Sequence, residues 1–280
     1  MYLSKVFRMK THHIFIIMAI LSLSLIASGC DREEDDLIHV PTETSTFLTG
    51  HIKTPEGSPL PNIPVSVDFK ISSLFGTTVI HKAKGKTDKS GFYKIFFDSK
   101  EDDQSATAGY IFSVDFSVLS PNDYIISEKV DYGFSGYKEE WIGSTTNFDF
   151  TIPHKKSLKV IVNNNGEMVL NGKYAVKNMF YYLKVSGNID VNNVTEPWNE
   201  NSIWTIKESI EILQNGTTSM ISPFAIGVEN NVRIVYLGDE TIGYPNGIPS
   251  GEKKAIIVTD KSDYEVELDY SAPDFDHRFD

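Results

Sequence analysis

The sequence predicts an all-β protein: two tandem β-sandwiches behind a leader and an acidic linker. Three observations carry this prediction. Short runs of β-branched and aromatic residues recur at regular spacing and are broken by clusters of Gly, Pro, Asn, Asp and Ser. Within the runs apolar and polar residues alternate, as in Val65, Val67 and Phe69 with Ser66 and Asp68 between them, the period of a strand with one buried face. Helical spacing is confined to one stretch, residues 203–213, where Ile206, Ile210 and Leu213 allow one short helix.

The chain opens on a signal peptide's three-part layout. Lys5, Arg8 and Lys10 precede an apolar run over 14–28 that closes on Ala27, Ser28 and Gly29. A bilayer-crossing helix needs about 20 apolar residues, so this run is too short for a comfortable span. Gly29-Cys30 resembles the lipobox of bacterial lipoproteins, with Ala27 where a leucine is usual. The resemblance implies that residues 1–29 are removed and that Cys30 carries diacylglycerol as the new amino terminus. Two features of the sequence agree. Cys30 is the only cysteine, so it cannot close an internal disulfide. It also precedes Asp31, Arg32, Glu33, Glu34, Asp35 and Asp36, poor company for a buried thiol.

Residues 30–44 read as an acidic linker. The acidic run resembles the export tag of some Gram-negative surface lipoproteins, which implies an outer-membrane, cell-surface location. Asp31 directly after the cysteine also resembles an inner-membrane retention signal of enteric-type sorting. A third reading is a solvated, self-repelling spacer. The whole chain has 26 Lys plus Arg against 38 Asp plus Glu. Cleavage removes three bases and no acid, leaving 26 − 3 = 23 against 38, a formal charge of −15. A chain so acidic has no basic stripe to follow phosphates, so nucleic acid is not an expected partner. The membrane is expected to be engaged through the lipid anchor and not through surface charge.

Residues 45–154 form the first expected sandwich. Thr49-Gly50-His51-Ile52, the run from Gly57 to Val65 with Pro59, Pro61 and Pro64, and Thr87-Asp88-Lys89-Ser90-Gly91-Phe92-Tyr93 resemble the carboxypeptidase regulatory-like (transthyretin-like) family. Gly57 and Pro59 suit a hairpin turn, Pro61 and Pro64 an edge that needs no ladder donor, and Asp88 to Gly91 a tight turn. Phe92 and Ile95 then enter the core. The resemblance implies an accessory or spacer module, because function is argued from sites and not from folds.

A hinge around 153–157 leads to a second sandwich over 155–270, whose strands resemble an immunoglobulin-like or related sandwich in general pattern only and carry no family signature. Strands are expected at 92–97, 111–118, 147–152, 158–162, 180–185, 232–237, 255–258 and 264–268. Residues 271–280, with Pro273 and three aspartates, read as a flexible acidic tail.

The residues give catalysis little to work with. Gly133-Phe134-Ser135-Gly136 places its second glycine one position early for a nucleophile elbow and reads as a turn. His39, His51, His81, His154 and His277 lack the His-Glu-x-x-His spacing of a zinc site, and no cofactor is implied. Asp98, Glu101, Asp102 and Asp103 lack the order of a calcium loop and read as a solvated hairpin tip. Aromatic residues in loops leave room for a ligand. Trp141 lies in a Gly-rich stretch, and Trp198 is followed by Asn199, Glu200 and Asn201, which could bond sugar hydroxyls while an indole covers the ring. The competing reading of a loop tryptophan is a cap on the open end of a sandwich, and Trp204 reads as core. The function expected is a non-enzymatic, lipid-anchored envelope spacer, adhesion or interaction component. A carbohydrate-binding accessory of an outer-membrane glycan-uptake system is the alternative, and an unrecognised hydrolase ranks third. The expected partner is accordingly an envelope protein or a glycan.

Overall fold

In the computed structural model, residues 40–73, 76–98, 108–126, 128–135, 141–187, 203–239, 241–261, 263 and 265–277 are described. Pro41–Asp280 forms one compact unit. Among the described residues the chain is all-β, with short 3-10 turns, among them Phe116–Val118 and Phe275–His277.

The first sandwich packs two four-stranded sheets. One contains β1 (Thr46–Lys53), β4 (Phe92–Phe97), β7 (Thr145–Thr151) and β10 (Leu183–Gly187), in the order β10-β7-β1-β4. The other contains β2 (Pro64–Ser73), β3 (Gly76–Lys86), β5 (Ala108–Asp115) and β6 (Lys129–Ser135), in the order β3-β2-β5-β6. Alternation places Leu48, Ile52, Val65, Val67, Phe112 and Phe148 inward, where they are fully or almost fully buried. The expected turn is also present: Gly91 takes φ 74°, and its N–H donates to the Asp88 carbonyl at 3.0 Å.

The second sandwich has β9 (Lys173–Tyr181), β11 (Ile203–Ile210), β13 (Glu229–Gly238) and β14 (Gly243–Pro249) in the order β11-β9-β13-β14, with β15 (Lys254–Ile257) also on β13. Facing them are β12 (Gly216–Ala225), β8 (Lys155–Asn164) and β16 (Val266–Asp269), in the order β12-β8-β16. Val160, Val176, Phe224, Val232 and Ile234 fill this second core.

In both sandwiches the opening strand lies parallel to the closing one. Phe47 pairs with Thr145 and Lys53 with Thr151, so β1 and β7 run together. Val160 pairs with Val266 and Asn163 with Asp269, so β8 and β16 do the same. On its first pass the chain therefore enters each sandwich at one pole and leaves at the other, and β10 later returns to the first sheet beside β7. At 3.3 Å per residue, strands of eight and ten residues carry it roughly 26 and 33 Å. The two sandwiches meet where β7 hands over to β8: the Tyr124 and His154 rings stack 4.6 Å apart, and a Cβ on Gly227 would stand 2.8 Å from Pro55.

The β1–β7 ladder has one deliberate break. The Phe148 carbonyl is taken by the Tyr93 hydroxyl, which donates at 2.9 Å, and the His51 N–H donates to the Asp149 carboxylate at 2.8 Å. Only glycine fits at position 50, because a Cβ there would stand 1.9 Å from the Phe148 oxygen. Burial, with Asp149 adding to it, holds the Tyr93 hydroxyl well above the ordinary tyrosine value, so it stays a neutral donor.

Several expectations are corrected. Residues 203–210 form strand β11 and not a helix: the ladder to β9, from Ile203–Tyr181 to Ile210–Tyr174, outweighs the helical spacing. The expected strand over 180–185 divides at Tyr182. Its second part, β10, pairs with β7, so a boundary at 154/155 cuts through the first sandwich's sheet. Tyr182 and Leu183 belong to the first core, and the Tyr182 hydroxyl is hydrogen-bonded to that of Tyr132. Residues 133–135, read as a turn, lie within β6, with Phe134 buried against Tyr110 and Trp141. Phe92 points outward beside His51, and the inward residues of β4 are Tyr93, Ile95 and Phe97. The tail is tied down through 277: Asp274 N–H donates to the Pro249 carbonyl at 2.9 Å, Pro273 is buried, and Phe275 lies against Tyr236 and Tyr244.

Candidate functional site

Trp141 is not available to a ligand, which corrects its place among the candidate binding residues. Only 1% of it is exposed. Its ring meets Phe134 edge-on at 5.3 Å and Tyr110 at 6.4 Å, and its carbonyl accepts the Thr46 and Ser144 hydroxyls, each at 2.8 Å. It closes the end of the first sandwich at which β1 begins. The reason is local: Trp141 stands just ahead of β7 at the open end of the core, and an indole is the largest apolar cover the chain has. Trp204, read as core, is half-buried and packs edge-on against Tyr182 at 5.8 Å on the margin of the first core. Trp198, Asn199, Glu200, Asn201 and Cys30 lie outside the described residues.

The polar clusters of the first sandwich are built into its sheets. Asp149 accepts from the His51 backbone and from the Asn147 amide at 2.6 Å, which holds the ladder break in place. His81 Nδ1 sits 2.6 Å from the buried Asp68 carboxylate on the neighbouring strand. Ser45 donates to Asp98 at 2.6 Å, so Asp98 fastens the start of β1. Among the described residues, no three His, Cys, Asp or Glu side chains converge as a metal centre would require.

A more open arrangement lies at the pole of the second sandwich farthest from the junction. Four segments meet there: 165–172 between β8 and β9, 211–215 between β11 and β12, the turn from β13 to β14, and the chain after β16. Asn164, 3% exposed, organises two of them. Its amide donates to the carbonyls of Glu167 at 2.9 Å and Leu213 at 2.8 Å, and its oxygen accepts the N–H groups of Gly166 and Glu167. Tyr270 donates to the Met168 carbonyl at 3.0 Å. In the β13–β14 turn the Asp239 carboxylate accepts from the backbone of Thr241 and Ile242 and from the Thr241 hydroxyl. That hydroxyl and the two backbone donors hold its pKa below the ordinary carboxylate value.

These braced loops carry large apolar side chains into solvent: Met168 is 63% exposed, Leu213 42% and Ile242 55%. Between the first two loops lies an open cavity of about 350 Å³, lined by Val169, Gly172, Lys173, Tyr174 and the end of β11 from Ser209 to Ile212. Sequence reading missed this pole because its members come from separate loops, and no local pattern links Met168 to Leu213 or Ile242. Asn164, an asparagine ending a strand ahead of a glycine, is the one local hint of a braced turn.

No family model matches the chain, and no curated protein matches it. Among solved structures it is similar to the shaft pilin SpaA of Lactobacillus rhamnosus GG, at 9% identity over 82% of this chain and 99% of that one, TM-score 0.25. It is similar to the Streptococcal ancillary pilin at 9% identity over 81% and 62%, TM-score 0.25. A 9R-lipoxygenase from Cyanothece PCC8801 matches at 22% identity over 50% of this chain and 23% of the other, TM-score 0.25. Likenesses at TM-scores this low carry no argument.

Proposed function

We propose that this chain is a non-enzymatic surface spacer, acylated at Cys30, that holds the far pole of its second sandwich away from the bacterial outer membrane. The observation that carries the reading is the parallel pairing of first and last strands in both sandwiches. A fold that takes the chain in at one pole and releases it at the other, twice in succession, separates the tethered end from the distal loops. β1, the first strand after the linker, is also hydrogen-bonded on both sides, to β4 and to β7. A pull on the anchor is thus shared by two ladders. The regulatory-like resemblance of the first sandwich and the acidic spacer ahead of it support the same reading.

The carbohydrate alternative loses Trp141 to the core and rests on Trp198 with Asn199, Glu200 and Asn201. Mass spectrometry of the membrane-extracted protein tests the anchor. The expected chain begins at Cys30 with added lipid; a free thiol on a chain that retains residues 1–29 overturns the reading. A glycan array probed with the same material separates the alternative, since specific glycan binding that is lost in Trp198→Ala without a change in melting would favour it over the plain spacer.

A further inference from the structure

The distal pole has a build that a passive end does not need. Isolated exposed apolar residues are ordinary on protein surfaces. Here three of them, Met168, Leu213 and Ile242, stand on loops that a buried asparagine, a tyrosine hydroxyl and an aspartate cap hold in place. Fixing loops in advance lowers the ordering cost of binding and so raises affinity. Beside them the cavity of about 350 Å³ reaches the lower end of the range for small binding sites, and its lining mixes Val169, Tyr174, Ile210 and Ile212 with Lys173 and Glu211.

The exposed charge at this pole is mostly negative. Glu167, Glu211, Asp239, Asp269 and Asp276 are all exposed at this pole, against Lys173 among the described residues. An acidic rim around an apolar centre favours a positively charged visitor with an apolar tip. We infer that the distal pole docks a loop of a partner protein in which one bulky apolar side chain, flanked by Lys or Arg, enters the cavity between the 165–172 and 211–215 loops. The apolar side chain buries against Ile210, Ile212 and Val169, while the flanking cations face Glu167 and Glu211.

The inference rests on the spacer reading for which pole faces outward, but its test does not depend on the anchor. The full chain, extracted in detergent, is applied to immobilised synthetic peptides whose central Phe or Leu is flanked by Lys and Arg, by Glu, or by Ser. A matching set has Ala at the centre. Retention on the cationic apolar peptides is expected, at least tenfold stronger than on the Glu-flanked or Ala-centred ones and weakening as salt rises. Met168→Asp and Leu213→Asp should each reduce it about tenfold with melting unchanged, whereas Ile221→Asp, on an exposed site of strand β12, should not. Three results overturn the proposal: no retention on cationic apolar peptides, equal retention on the Glu-flanked set, or retention untouched by both loop variants. Self-association of the chain that Met168→Asp abolishes would also overturn it, by assigning the pole to a second copy. Failure of the peptide assay leaves the Cys30 mass unaffected, so the two readings fail separately.

Discussion

Replacing Trp141 with alanine should strike the fold and not a ligand, and the size of the effect follows from its surroundings. The indole is 1% exposed and makes edge contacts with Phe134 and Tyr110 at the closed end of the first core. Removing a buried tryptophan loses its transfer energy and leaves a cavity, together about 3–5 kcal/mol. For a unit of this size each kcal/mol moves the melting temperature by about 2–4 °C, so a fall of roughly 6–20 °C is expected. Trp141→Phe should recover part of the loss, because a smaller ring still covers the core. Thermal unfolding followed by far-UV circular dichroism is the assay, with acrylamide quenching of tryptophan fluorescence as a check on exposure. Exposed positions away from special features change stability by only about 0.5 kcal/mol. Melting of Trp141→Ala within about 2 °C of the parent would therefore refute the reasoning.

Three further outcomes follow from the same geometry. Gly50→Ala drives a methyl to 1.9 Å from the Phe148 oxygen, at a place held by Tyr93; it should cost at least the upper part of the roughly 1–3 kcal/mol usual for overpacking, read as a fall in urea midpoint. Tyr132→Phe leaves the buried Tyr182 hydroxyl without its bond from Tyr132 and should cost about 1–3 kcal/mol, while the Tyr132→Phe, Tyr182→Phe double variant should be more stable than that single one; additive losses would contradict the account. Asp88 accepts from Ser90 Oγ and N and from Phe92 N, which lower its pKa, the Ser90 hydroxyl most. Its stabilisation is full above the unfolded carboxylate pKa of about 4 and is lost as pH falls through the lowered folded value. Asp88→Asn should therefore melt below the parent at pH 7, and the gap should shrink between pH 4 and pH 2.

Much of the architecture was legible because buried strands announce themselves by alternation: Val65, Val67 and Phe69, or Phe148 and Phe150, read correctly from their two-residue period alone. The failures have physical causes. β3 is an edge strand exposed along most of its length, so Gly-Thr-Thr-Val-Ile-His-Lys-Ala-Lys-Gly-Lys offers no buried face to detect. β6 ends in Gly133 and Ser135, residues that signal turns when tertiary pairing is unknown. Ile206 and Ile210 fit a helix as well as a strand, and the β9 ladder decides between them. The hydroxyl pair of Tyr132 and Tyr182, fifty residues apart, ties β10 into the first sandwich; no local pattern encodes such a link. Trp141 was weighed as either stacking surface or core cap, and 1% exposure selects the cap.

The central claim is that the start of β1 and the Met168–Leu213–Ile242 loops lie at opposite poles, with the lipid proposed at Cys30 on the side of β1. It is tested most directly by energy transfer on the lipidated protein in vesicles that carry acceptor dye in their headgroups. Donors are placed one at a time at Ile142→Cys, beside the start of β1, and at Leu213→Cys, on the distal loops, with Cys30 occupied by its lipid. Strong transfer from position 142 and weak transfer from position 213 is the expected result. Equal transfer from the two, or stronger transfer from 213, would contradict the account.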